Sequence, residues 1–341
     1  MKLDYSTLET ETLSNNPKQN RIDSIAIQNQ DVRQLKSIVP KPKKPVSIEQ
    51  IDEAIITTIT EKNKNNLLNN SSTTSDSNIL DEIQEFPTTR YYGSKKRLLP
   101  WIYENTKGLE FNTVLDAFGG TASTSLLFQT MGKKVTFNDG LKCNQIMATA
   151  LLQNNKELLP QKEFEEFIKE VIPNRGFISH TFHNDYFTEE ENQWLDGIAL
   201  KIHSLTCEKV KSIYFYCLFQ ACLQKRPFNL FHRKNLNLRL RDVKRSFGNL
   251  KTWNTEFSVL MLRSYKQLSK MTTNFDCSPI ILPATDASEI KGKFDLVYLD
   301  PPYINSKPTS DTYLKKYHFL EGLSNYHSWS DHIKDDGSRY S

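Results

Sequence analysis

The sequence predicts an α/β fold, a doubly wound sheet of parallel strands with helices packed against it. Three observations favour this class. A short strand over Thr113–Asp116 runs into a turn of small residues and then a helix, which is the order found in nucleotide-binding α/β units. A second strand, Lys134–Phe137, follows this helix. A third apolar run, Leu296–Leu299, is expected to be a buried strand and stops at two prolines.

The first 86 residues differ in composition from the rest of the chain. They contain two of the 37 aromatic residues, and ten Lys and Arg against thirteen Asp and Glu. This segment therefore carries a charge of −3 and the remainder +7, within a total of +4 for 341 residues. Because it cannot bury enough apolar surface to offset its ordering entropy, we expect residues 1–86 to be a largely disordered arm. One helix is predicted from Ser47 to about Lys62 and a flexible linker over 69–78, with order beginning near Phe86.

The composition also limits the classes of protein. The five cysteines form no Cys-x-x-Cys pair, which favours a reduced setting such as the cytoplasm. No apolar run reaches the roughly 18 residues that a membrane helix needs. His180 and His183 are isolated, so a surface pair is favoured over a metal site and we expect no metal.

Two turns of the predicted sheet suit a nucleotide-like ligand. An aromatic pair beside Gly93 and Lys95 opens a helix, and this arrangement can hold an adenine ring or a carboxylate, although a basic capped helix looks the same. The turn after the first strand, 117–123, is built of small residues that let a ligand approach the backbone. It contains neither a dinucleotide fingerprint nor a phosphate loop. Asp139 closes the second strand, where an acid takes ribose hydroxyls or caps the helix from Leu141.

The segment 151–275 is expected to be a helical insert. Within it, Lys225–Lys251 holds nine Lys and Arg and a single acid, interleaved with Phe and Asn. This pattern favours phosphate contacts together with base reading over a solvated basic face. The predicted DNA-binding residues are Lys225, Arg226, His232, Arg233, Lys234, Asn235, Arg239, Arg241, Lys244 and Arg245. A further strand, Pro279–Leu282, leads to Asp286, which is placed to accept a hydrogen bond from a cofactor's adenine amino group.

The corner Asp300–Tyr303, Asp-Pro-Pro-Tyr, follows the Leu296–Leu299 strand. Its prolines stiffen the backbone at the strand end where open α/β sheets bind ligands. The Asp300 carboxylate and the Pro301 carbonyl can each accept one N–H of an aromatic amine, which frees the nitrogen lone pair for an electrophilic methyl group. Tyr303 offers a ring face for a base taken out of the stack. A plain turn is the alternative.

The order of these motifs resembles the Dam-like family of adenine-N6-specific DNA methyltransferases. Tyr91-x-Gly93-x-Lys95 opens the similarity, Asp116-x-Phe118-x-Gly120 follows, then the insert and Asp-Pro-Pro-Tyr, over roughly residues 87–330. The resemblance implies an S-adenosylmethionine-dependent methyltransferase-like, Rossmann-like sheet whose catalytic domain is split into 87–150 and 276–341. It implies methylation of N6 of adenine in double-stranded DNA by base flipping, in a restriction-modification system with a paired endonuclease as a possible partner.

The resemblance also implies residue roles. S-adenosylmethionine would be bound by Tyr91, Gly93, Lys95, Asp116, Phe118, Gly120, Asp139 and Asp286. The catalytic corner would be Asp300, Pro301, Pro302 and Tyr303, and the basic segment would lie against DNA.

Two features depart from the family pattern. Ala122 stands where the family turn usually has a second Gly, and its small size keeps cofactor binding compatible. Only 38 residues follow Tyr303, too few for the remaining strands of a seven-stranded family sheet. We therefore expect a truncated or split enzyme, with an exposed sheet edge and a complementing C-terminal fragment as a possible partner. Methylation of another planar amine, such as N4 of cytosine or an RNA adenine, and an inactive DNA- or cofactor-binding remnant are the alternatives.

Overall fold

The described residues form a four-stranded parallel sheet, in agreement with the fold class that the sequence predicts. The computed structural model describes residues 74–87, 89–154, 159–242, 250–271, 279–302 and 313–333. The strands are β1 (Thr113–Asp116), β2 (Lys134–Phe137), β3 (Ile280–Ile281) and β4 (Leu296–Tyr298). Their order is β3-β2-β1-β4, and every neighbouring pair is parallel. The helix predicted over 47–62 lies outside the described residues.

The register of the sheet aligns the strand ends. Asp116, the last residue of β1, pairs with Phe137 on one side and with Tyr298 on the other. Parallel strands place their carboxyl ends at one edge of the sheet. The turns after β1, β2 and β4 therefore emerge side by side, and any site built from them lies at this edge.

Helices pack around the sheet and make up most of the other residues that the structure describes. Before and between the strands lie α1 (Thr74–Glu85), α2 (Leu99–Thr106), α3 (Ser123–Thr130) and α4 (Lys142–Leu152). The helical insert contains α5 (Gln161–Lys169), α6 (Phe177–Thr181), α7 (Glu189–His203), α8 (Glu208–Gln224), α9 (Leu236–Leu240), α10 (Leu250–Trp253) and α11 (Phe257–Leu268). After β4 come α12 (Tyr313–Ser324) and a 3-10 helix, Tyr326–His332.

The insert packs around α8. Residues 212–223 of this helix are all buried, and α8 packs against both α4 and α11. Phe164 of α5 stacks on Tyr214 and Tyr265, with ring centroids 5.0 and 4.3 Å apart. A helix apolar on all sides is stable only inside a core, so α8 joins the insert to the sheet domain as one packed body.

Two expectations are wrong. The linker predicted over 69–78 overlaps α1, which begins at Thr74 and buries Ile83. The apolar residues of α1, Ile79, Leu80 and Ile83, follow the polar stretch and pack into the core, and α1 lies against α2 and α3. The β4 strand is not buried, because Val297 is 46% and Leu299 41% exposed. Among the described residues β4 is an edge strand; the complementing fragment stays a prediction.

None of the helices in the described ranges combines the length and the apolar character required to cross a bilayer.

Candidate active site

A cavity of about 270 Å³ opens at the carboxyl ends of β1, β2 and β4. The predicted cofactor residues that line it are Tyr91, Gly93, Lys95, Asp116, Phe118, Gly120 and Asp139. Two residues of the predicted catalytic corner, Asp300 and Pro302, line the same cavity. The structure thus brings together residues that are up to 211 positions apart in the sequence.

The turn after β1 keeps the cavity open to a ligand. A Cβ on Gly119 would lie 2.1 Å from a ring carbon of Phe137, so no larger residue fits there without displacing β2. Gly120 has a φ of +52° and its N–H donates to Asp139 Oδ2 at 2.9 Å. Ala122, which replaces the usual glycine, is also left-handed, with a φ of 59°. The turn therefore keeps the left-handed backbone conformation that glycine adopts easily, and Ala122 is strained in that conformation.

Asp139 connects the exits of β1 and β2. Its Oδ2 accepts from Gly120, while its Oδ1 accepts from the N–H of Leu141 at 2.8 Å and from Asn144 Nδ2 at 2.9 Å. The bond to Leu141 closes a turn just before α4. Leu141 holds the N-cap position of that helix and Asp139 lies two residues before it, so the capping role considered for Asp139 is wrong. Burial raises the pKa of Asp139 despite these donors.

Asp116 is the deepest acid of the cavity. It is fully buried, and its Oδ2 accepts from Ser125 Oγ at 2.7 Å. Its Oδ1 finds no hydrogen-bond partner among the described residues. Burial raises the pKa of Asp116 to about 7, and the neighbouring carboxylates of Asp139 and Asp300 act in the same direction. A buried acceptor left open in this way suits a cationic or N–H-donating group of a ligand.

Lys95 is paired with the carboxylate of Asp300. Its Nζ forms an ion pair with Asp300 Oδ2 and donates to the carbonyl of Gly93 at 3.1 Å. Both charged side chains are largely buried in the cavity wall. Lys95, predicted from sequence as a cofactor residue, is therefore also placed to orient Asp300.

The Tyr91 ring is held by α12. It stacks on Tyr317 at a centroid distance of 4.2 Å and on Tyr313 at 5.8 Å. Its hydroxyl accepts from Asn144 Nδ2 at 2.9 Å, and the N–H of Tyr92 donates to Tyr317 Oη at 2.6 Å. Sequence reasoning missed Tyr313, which lines the cavity, and Tyr317. Their spacing of four, which places both rings on one face of a helix, was the available signal in the sequence.

Some predicted residues are not brought into the cavity. Asp286 accepts from the N–H and the Oγ of Ser288, at 2.8 and 2.6 Å, within its own turn and does not line the cavity. Pro301 is exposed and is likewise absent from the lining. Tyr303, Lys244 and Arg245 lie outside the described residues.

Three cations of the basic segment face the interior. The Arg226 guanidinium, 1% exposed, donates to the carbonyls of Leu230, Tyr186, Lys234 and Arg233. Buried donors that are satisfied within the protein cannot reach a duplex. The expectation that Lys225, Arg226 and Arg239 contact DNA is therefore wrong.

Glu191 accounts for the other two buried cations. Its carboxylate pairs with Lys225 at 2.7 Å and with Arg239 at 2.8 Å. It also accepts from the N–H of Thr188 at 2.9 Å and caps the start of α7. Burial acts to raise the pKa of Glu191, but Arg239 and Lys225 outweigh it and hold that pKa below its usual value.

The rest of the described basic segment is presented outward. Arg233, Lys234 and Arg241 are exposed, whereas His232 and Asn235 are half-buried. Phe228, 63% exposed, has a left-handed φ of 64°. Arg226 holds this loop from the inside by donating to its carbonyls. The outer side of the same segment presents basic and aromatic side chains to solvent.

The fold and the site together indicate a class of enzyme. A parallel α/β sheet with a glycine turn, one buried and two half-buried carboxylates and an Asp-Pro-Pro corner at its carboxyl edge is the arrangement of a group-transfer enzyme acting on an amine.

Comparison with known proteins agrees. Residues 91–328 match the family of D12 class N6 adenine-specific DNA methyltransferases, and the chain belongs to this family. It is therefore a transferase that methylates N6 of adenine in DNA. The Type II methyltransferase M2.HphI of Haemophilus parahaemolyticus is 28% identical over 247 residues, which cover 70% of this chain and 71% of the relative. No solved structure matches the chain.

Proposed function

We propose that this enzyme uses S-adenosylmethionine to methylate N6 of an adenine that has been turned out of double-stranded DNA. The observation that carries this proposal is the shared cavity. Asp300 and the carboxylates of Asp116 and Asp139 line one space of about 270 Å³. A methyl donor and an amine can therefore meet there at bonding distance.

The lining residues fit a cationic cofactor. Asp116, Asp139 and Asp300 face the cavity, and of the described lining residues Lys95 has the cationic side chain. The open Oδ1 of Asp116 suits an ammonium group, and Asp139 suits hydroxyls. We infer that Tyr91 and Gly120 close the same subsite. S-adenosylmethionine would supply an electrophilic methyl group on a sulfonium.

We infer that Asp300 and the carbonyl of Pro301 accept the two N–H bonds of the target amine. These bonds favour a pyramidal nitrogen and aim its lone pair at the methyl group, so no covalent enzyme intermediate is needed. Lys95 holds the Asp300 carboxylate in the cavity before the base arrives. Tyr303 is proposed to stack on the adenine, as the resemblance implies.

We propose that the duplex lies against the outward surface of the basic segment. Arg233 and Arg241 supply exposed charge for phosphates, and the exposed Lys234, whose Nζ pairs with Asp185 at 2.9 Å, lies beside Arg233. Asn235 and His232 suit base edges. The exposed ring of Phe228 would pack against bases or sugars. Lys225, Arg226 and Arg239 contribute by holding this surface in shape.

The decisive assay uses the full chain, unmethylated plasmid DNA and S-adenosylmethionine labelled in its methyl group. The labelled DNA is digested to nucleosides and its modified sites are sequenced. We expect N6-methyladenine within one short sequence. Label in N4-methylcytosine, or transfer to an RNA supplied in a parallel reaction and not to the plasmid, would replace the substrate assignment. Duplex binding without any label would support the inactive remnant.

We further propose that the enzyme works beside a restriction endonuclease, supported by the Type II name of its relative. A nuclease encoded next to its gene should cut plasmid DNA before but not after methylation by this enzyme. Equal cutting of both plasmids would contradict the pairing.

A further inference from the structure

Lys316 of α12 lies at the rim of the cavity. Its Nζ is 4.0 Å from the ring centroid of Tyr92 and 5.5 Å from that of Tyr313. Both rings line the cavity, and Tyr92 is partly exposed to solvent. An aromatic face attracts and orients an ammonium group. The mouth of the cavity therefore carries a positioned positive charge.

The same residue adjoins the basic loop. The carbonyl of Lys316 accepts from the N–H of Phe231 at 2.9 Å. The Phe231 ring stacks on Phe319 of α12, with centroids 4.9 Å apart. Phe231 lies between the exposed Phe228 and the exposed Arg233. Lys316 thus stands where the loop proposed to face the duplex meets the wall of the cavity proposed to receive the base.

A base that enters this cavity brings its phosphates to the rim. An extruded nucleotide keeps its two flanking phosphodiesters, which are anionic. The cavity itself holds the carboxylates of Asp116, Asp139 and Asp300, and these repel phosphates. A cation at the mouth offsets this repulsion and gives the backbone a fixed point.

We propose that Lys316 is a phosphate-binding residue that holds a phosphodiester next to the extruded adenine. This inference rests on the proposed function, since it needs a flipped nucleotide in the cavity. Lys316 does not touch the reacting atoms. It is a positioning residue that acts on DNA affinity and on the placement of the base, and it leaves the cofactor site unchanged.

The test compares Lys316→Met with Lys315→Met, a matched variant one position away on the same helix, using a duplex that contains the mapped site. For Lys316→Met we expect the KM for DNA to rise about tenfold, the size of one charge-assisted hydrogen bond. The slope of log affinity against log salt should fall by about one. S-adenosylmethionine affinity should stay unchanged, and Lys315→Met should match the unmutated enzyme.

A chemical counterpart locates the phosphate. In these duplexes a neutral methylphosphonate replaces the phosphate on one or the other side of the target adenine. At one of the two linkages this change should raise the KM for DNA of the unmutated enzyme about tenfold. At the same linkage it should not further raise the KM of Lys316→Met. Equal losses for both enzymes, or no loss for the unmutated enzyme at either linkage, would overturn the proposal even if Lys316→Met folds poorly. N6-methyladenine formed on the unmodified duplex reports separately on the proposed function.

Discussion

The cavity and the basic segment bury charge in opposite ways. In the cavity, Asp116 is fully buried with one carboxylate oxygen that has no partner among the described residues. In the basic segment, Arg226 is equally buried, but its guanidinium donates to four carbonyls. A buried polar atom without a partner is costly and marks a place for a ligand, whereas a satisfied one belongs to the framework.

This difference in hydrogen bonding distinguishes basic residues that look equivalent in the sequence. Basic residues in an aromatic segment all look like DNA ligands until their neighbours are known. Lys225 and Arg239 turn towards Glu191, while Arg233 and Arg241 remain exposed. The comparison predicts that substitutions in the cavity change chemistry, substitutions of inward cations change stability, and substitutions of outward residues change DNA affinity.

The largest effect is expected from Asp300→Ala in the cavity. Loss of the carboxylate removes one proposed acceptor of the target amine, so the methylation rate should fall by about a thousandfold. Duplex binding should change little. Asp295→Ala is the matched control at the opposite end of β4, since Asp295 accepts from the N–H groups of Asn112 and Thr113 away from the cavity. It should keep most activity; comparable rates for the two variants would remove Asp300 from the mechanism.

The next largest effects are expected from Arg226→Met, on stability, and from Arg233→Met, on DNA binding. Removing the Arg226 guanidinium leaves buried carbonyls unpaired, so the free energy of unfolding should fall by about 2–4 kcal/mol. Arg233→Met should change stability by less than about 0.5 kcal/mol, yet weaken duplex binding and its salt dependence. Urea unfolding and binding titrations measure both. A stable Arg226→Met variant with weakened DNA binding would reverse the assignment of the two residues.

The raised pKa of Asp116 predicts that cofactor binding depends on pH. Because its pKa is raised to about 7, the carboxyl is protonated below pH 7 in the ligand-free fold and must ionise to bind a cation. Affinity for S-adenosylmethionine should therefore rise up to about tenfold per pH unit towards pH 7 and then level off. Calorimetry in buffers of different ionisation enthalpy should show proton release near pH 6.

The stability of the ligand-free protein gives the control for this prediction. A raised carboxyl pKa means that the folded state holds the proton more tightly than the unfolded chain does. The contribution of Asp116 to stability is therefore lost as pH rises from about 4 to about 7. Asp116→Asn should remove both this loss and the pH dependence of binding. An unchanged binding profile in Asp116→Asn would contradict the assigned role.

The smallest effect concerns Phe228, whose left-handed backbone costs stability in a position that Asn tolerates. Phe228→Asn should raise the free energy of unfolding by up to about 1 kcal/mol and weaken duplex binding. Leu240→Asn is the control, since Leu240 is also 63% exposed but ends a regular helix, α9. It should gain no stability. A stabilised Phe228→Asn variant with full DNA affinity would remove the ring from the interface.

Local patterns in the sequence were sufficient for the elements that build the site. The bounds of β1 and β2 agree with the predicted strands, because each is a short apolar run closed by turn residues. Glycine and proline chemistry located the turn after β1 and the Asp-Pro-Pro corner, since their conformational limits act on the backbone where they stand.

The tertiary structure alone decided which charges meet. Lys95 pairs with Asp300 and Lys225 with Glu191, contacts between distant parts of the chain that no local pattern contains. It also decided that β4 is an edge strand of the described sheet and that α12 joins Tyr92 to Phe231 through Lys316. The physical reason is that backbone preference is set by neighbours in sequence, whereas burial and charge pairing are set by neighbours in space.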